Sequence, residues 1–110
     1  MARISSHDKG KRGEREFAAL ARQHGFADAR RGQQFSGSPD SPDVCIDCGV
    51  HFEVKRTEKL RLLEAWRQVT GDCGERKPAV AWKRNHGEWL VLCRADDFLD
   101  MLATVEGVKL

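Results

Sequence analysis

Phe17, Ala18, Leu20 and Ala21 recur at the spacing of one helix face, so the chain reads as helical from about Lys11 to His24, with Gly25 as the stop. At about 100° per residue, Glu14 lies one turn before Phe17, Ala18 and Ala21, on the edge of that apolar face, while Arg15 and Glu16 point further away. Ahead of this helix, Met1 to Lys9 is polar and aperiodic and reads as a loose arm. Behind it, Ala27 to Arg31 suits a short extra strand, and Gly32 to Ser41 has the Gly, Ser and Pro content of a flexible loop. Val44 to Asp47 and Val50 to Arg56 are β-prone runs around Cys48-Gly49, the pattern of a hairpin. Alternation along the second run sends Glu53 and Lys55 to one side and Phe52 and Val54 to the other.

A second helix is expected from about Leu60 to Val69, packing through Leu60, Leu63 and Trp66 and ended by Gly71 or Gly74. Pro78 to Trp82 and Trp89 to Cys93 read as strands around the turn Asn85-His86-Gly87. A short last helix follows, capped by Asp96 or Asp97, with Phe98, Leu99 and Leu102 for apolar contact. The order is α-β-β-α-β-β-α, with the extra strand making α-β-β-(β)-α-β-β-α: an α/β mixed central sheet flanked by helices. At 110 residues the chain is expected to form one domain over 9–110 behind an arm at 1–8.

Charge refines this picture through its distribution. The chain has 19 Lys and Arg against 17 Asp and Glu, a formal +2. Its first third is more basic than that sum, with Arg3, Lys9, Lys11, Arg12, Arg15, Arg22, Arg30 and Arg31 against Asp8, Glu14, Glu16 and Asp28. Such a surface suits a phosphate backbone, and a solvated charged face is the alternative. No apolar run approaches the ~20 residues that span a bilayer, and there is no secretory-type apolar core. No membrane partner is expected, and the expected compartment is the cytoplasm. Cys45, Cys48, Cys73 and Cys93 are then expected to be reduced.

The candidate chemistry lies on the hairpin. Asp43 heads one strand and Glu53 lies on the next, so their side chains can meet across the pair at about 5 Å, with Lys55 beside them. Two carboxylates are what Mg²⁺ commonly takes from a protein, its other positions going to water and substrate phosphate. A lysine two residues from a metal carboxylate can position water or neutralise phosphate. Glu14 would add a carboxylate from the helix. Each residue also has a plainer reading: Glu14 as a first-turn glutamate favoured by the helix dipole, Glu53 and Lys55 as an exposed ion pair. Cys45 and Cys48 are half of a zinc motif whose other half is missing, so they read as a small strand hydrophobe and a turn residue. Trp66, Trp82 and Trp89 are read as core, and no histidine shows a paired spacing.

Pro42-Asp43 followed by Glu53-Val54-Lys55 resembles the signature of the PD-(D/E)xK nucleases. Lys9-Gly10-x-x-x-Glu14-Arg15-Glu16-Phe17 with His24-Gly25-Phe26 is similar to the first helix of the archaeal-type Holliday-junction resolvases. Pro78 to Trp82 and Glu88 to Leu92, with the helix after them, resemble phage members. The resemblance covers roughly Lys9 to Leu102. It implies a restriction-endonuclease-like fold, and a Mg²⁺-dependent endonuclease, with Mn²⁺ as a substitute, that nicks four-way DNA junctions as a homodimer. It makes Asp43, Glu53 and Glu14 metal residues, Lys55 the catalytic lysine and Gln68 an auxiliary residue near it. Arg15, Arg30 and Arg31, with Lys11 and Arg12, would contact DNA. The alternatives are a flap, nicking, repair or restriction-like nuclease, a silent DNA-binding module, and a zinc-stabilised scaffold.

Overall fold

A computed structural model describes residues 6–32 and 42–108. Helix α1 (Ser6–Gln23) leads through β1 (Arg30–Arg31), β2 (Val44–Cys45) and β3 (Val50–Arg56) to α2 (Leu62–Asp72). Strands β4 (Lys77–Lys83) and β5 (Leu90–Cys93) and helix α3 (Ala95–Glu106) complete the chain. The five strands form one sheet in the order β1-β2-β3-β4-β5. Only β3 and β4 run parallel, from Val50↔Lys77 to Arg56↔Lys83, as the α2 crossover between them requires. The molecule is thus an α/β domain with an open mixed sheet and three helices.

Alternation in β3 sorts the two faces. Val54 joins Phe17, Ala18, Ala21, Ala29, Val44, Ile46 and Ala81 in a core under α1, with Phe52 and Trp89 packed against it. Phe17 sits 5.2 Å from the ring of Phe52 and the same distance from that of Trp89, so Trp89 packs against the core while staying partly exposed. On the opposite face α2 lays Ala65 and Val69 on Val80, flanked by Leu60, Trp66 and Leu92. His51, Glu53 and Lys55 share that second face by the two-residue repeat of a strand.

Several expectations need correction. Helix α1 begins at Ser6, so part of the expected arm is helical, and Met1 to Ser5 lie outside the described residues. It ends where expected: Gly25 adopts φ 99°, Phe26 N–H donates to Ala21 O and Gly25 N–H to Arg22 O, which closes the last turn. The expected loop 32–41 lies outside the described residues except for Gly32. Strand β2 stops at Cys45, and β5 begins at Leu90. Helix α2 begins at Leu62 and runs through Gly71; its buried side chains are Ala65 and Val69, while Leu63 is 64% exposed. Ala65 and Val69 lie against Val80 on the sheet, with Leu60 and Trp66 packed beside them.

Helix α3 is capped at Arg94, without a side-chain bond, and Asp96 and Asp97 fall in its first turn. None of its 12 residues is buried. Phe98, Leu99, Met101, Leu102 and Val105 are 44–76% exposed, so among the described residues the apolar face expected to pack stays largely open. No helix among the described residues is long and apolar enough to cross a membrane.

Candidate metal centre

Asp43 is fixed by its backbone before its carboxylate is considered. Its N–H donates to Phe52 O at 2.9 Å, and its own carbonyl accepts from Gly32 N–H at 2.8 Å. Strand β2 is too short to occupy Val54, so the Val54 N–H donates to Asp43 Oδ2 at 2.8 Å. The side chain thereby takes a place in the ladder and cannot swing into solvent. Gly32 is required by closeness: a Cβ there would overlap the carbonyl oxygen of Pro42. Gly32→Ala is expected to cost about 1–3 kcal/mol by forcing these backbones apart, as read from urea denaturation; unchanged stability would contradict this seating of Asp43.

Glu53 meets Asp43 from β3, with Lys55 close to both. Glu53 is 3% exposed and His51 1%. Burial, then the neighbouring Glu53 carboxyl, pushes Asp43 up from 3.8 to about 7, against the opposing pull of Val54 N–H and Lys55. Burial also raises Glu53, and Asp72 at the end of α2 acts on it in the same direction. Two acids in a site that disfavours two charges retain a proton near neutrality, and a divalent cation would offset their charge. That is the physical sense in which this donor set fits a divalent ion. Two carboxylates are the number Mg²⁺ commonly takes from a protein. Among the described residues no group of three or more His, Cys, Asp and Glu side chains is arranged to hold a metal.

The structure brings Lys55 and Gln68 together: Lys55 Nζ donates to Gln68 Oε1 at 2.7 Å, across β3 and α2. They line a cleft of about 250 Å³ with Lys59, Arg61 and Glu64. Glu14 is placed differently from the acid pair. Its carboxylate accepts from Arg31 Nε at 2.7 Å, at the strand position paired with Val44, next to Asp43. Arg12, Arg15 and Arg30 are exposed and Lys11 is partly covered, while the Arg31 guanidinium is committed to Glu14. Cys45 and Cys48 are free thiols; Cys48 packs against the core under α1, and its Sγ lies 3.8 Å from Val50 O.

Two neighbours of Glu53 escaped the sequence reading. His51 Nε2 lies 3.2 Å from Glu53 Oε1, and Asp72 reaches Glu53 from α2. The signal for His51 was the alternation already used for Lys55, carried two residues backward. Asp72 had no local signal, because its position depends on how α2 lies over the sheet. No family model, no curated protein and no solved structure matches the chain.

Proposed function

We propose that the protein is a Mg²⁺-dependent DNA endonuclease with a restriction-endonuclease-like fold, acting on branched DNA such as a four-way junction. The observation that carries this reading is the convergence of Asp43, Glu53 and Lys55 on one sheet face, in residues that resemble the PD-(D/E)xK signature. When bound, Mg²⁺ stabilises charge on the phosphoryl oxygens and lowers the pKa of the attacking water. Asp43 and Glu53 would hold the ion, while Glu14, engaged by Arg31 on the α1 side, stands apart from that pair. Lys55, steadied by Gln68, orients the water or screens the phosphate. Arg12, Arg15 and Arg30 with Lys11 hold the backbone; Arg31 contributes where its pairing with Glu14 allows. The test is cleavage of a labelled four-way junction and of its component duplexes with Mg²⁺ and with chelator. Cleavage of junction over duplex supports the branched-DNA reading, equal cleavage favours a nicking or repair nuclease, and no cleavage of any DNA removes the proposal.

Nicking two strands in register calls for two active sites, and α3 offers the surface to pair them. Its bare apolar side chains adjoin a groove of about 520 Å³ floored by Phe52, Ala79, Val91 and Met101. A two-fold pairing would bury helix and groove of both copies at once. The acidic residues Asp96, Asp97, Asp100 and Glu106, with no Lys or Arg in the helix, make this a poor face for DNA. Sedimentation is expected to show a dimer at micromolar concentration and a monomer for Leu99→Asp/Val105→Asp; a monomeric parent chain would contradict the pairing.

A further inference from the structure

We propose that His51 is a positioning residue for the acid pair: its imidazole Nε2–H holds Glu53 Oε1, so that the carboxylate meets a divalent cation already oriented. The proposal rests on the reading of Asp43 and Glu53 as the cation-holding pair. The contact is 3.2 Å, with both side chains almost wholly out of solvent. Both residues lie in the paired interior of β3, His51 opposite Pro78 and Glu53 opposite Val80, so neither backbone is free to shift. Their side chains project to one side two residues apart, the repeat that sets neighbouring groups along a strand.

The chemistry assigns the direction of the bond. A buried carboxylate beside other carboxylates needs a donor, and leaving it without one is costly. For Asp43 that donor is Val54 N–H, on Oδ2. Glu53 shares a hydrogen bond with Asp43, and His51 is the further donor, on Oε1; the carboxylate acceptor selects the form of the ring with its proton on Nε2. One oxygen of each acid is thus anchored by a fixed protein donor. Imidazole is a poor ligand for a hard, oxygen-seeking ion, so His51 acts through Glu53 and not on the metal. Donors of this kind set the orientation of metal-binding carboxylates, and removing one commonly weakens metal binding 10- to 100-fold, to take the order of magnitude.

The test compares His51→Gln, whose side-chain amide reaches about as far as Nε2, with His51→Asn, whose amide falls short. Mn²⁺ binding is followed by electron paramagnetic resonance, without DNA, on chains that give a cooperative melt in chelator. His51→Gln is expected within about threefold of the parent affinity and His51→Asn about tenfold or more weaker. Equal affinity in all three, or equal loss in both variants, would overturn the proposal, the second because a packing defect would not respect donor reach. The parent chain gives a check independent of folding in the variants: imidazole ¹⁵N spectra should show the proton on Nε2, and a ring protonated on Nδ1 alone would overturn it. Mn²⁺ binding with the expected ranking but no DNA cleavage would remove the nuclease reading and leave this one standing. A parent chain that binds no Mn²⁺ would remove both.

Discussion

Asp43→Asn is expected to raise the melting temperature at pH 8 while abolishing divalent-cation binding. In the folded chain Asp43 ionises near 7, against 3.8 ordinarily, so the folded state holds its proton more tightly than the unfolded state. This contribution to stability is complete below about pH 4, falls as pH rises between the two values and is gone above about 7. The span corresponds to at most roughly 4 kcal/mol, part of which belongs to the pair with Glu53. Asparagine stays neutral and its amide oxygen can still accept from Val54 N–H. A gain on the order of 2 kcal/mol at pH 8 would shift melting by about 10 °C for a domain of this size. Calorimetry in chelator at pH 4, 6 and 8 should show the variant drawing ahead of the parent as pH rises. A variant less stable than the parent at pH 8 would mean that Asp43 sits there comfortably ionised.

The second large effect separates the two roles on β3. Glu53→Gln should lose both Mn²⁺ binding and cleavage, because a neutral amide replaces one of the two charged donors. Lys55→Ala should keep Mn²⁺ binding and lose cleavage by about 10²- to 10³-fold, the range for removing one group that stabilises or activates at the reacting centre. Cation binding is read by paramagnetic resonance and cleavage by single-turnover kinetics. Equal loss of binding in both variants would place Lys55 in a structural role beside Glu53. Unchanged cleavage in either would detach these residues from the reaction.

The parts of the site that were legible in the sequence are those that obey a local period. Alternation put Glu53 and Lys55 together, and the hairpin brought Asp43 opposite them, since both follow from one strand and its neighbour. Gln68 could be placed near Lys55 only through the family resemblance. The contact itself depends on α2 crossing from β3 to β4. Asp72 depends on the same crossing and carried no mark of its own. Leu63 misled because helical spacing tells which residues share a face, not which face meets the sheet; Ala65 and Val69 face it, with Leu60 and Trp66 beside them. Phe98, Leu99 and Leu102 carried a genuine apolar signal, but helical spacing does not say what a face meets, and all three stay 44–57% exposed. Glu14 fell on the edge of its helix face as expected, yet its nearest charge is Arg31, contributed by a two-residue strand that periodicity alone could not fix.

We propose that this acid pair and lysine hydrolyse DNA at a branch. The most direct measurement is to incubate the purified chain with a four-way junction labelled on each strand in turn, with Mg²⁺, and to map the cut positions. Paired nicks at symmetry-related positions on opposing strands, absent with chelator and with Glu53→Gln, are the predicted result. An intact junction with Mg²⁺ and Mn²⁺ alike, or cutting that survives Glu53→Gln, would contradict it.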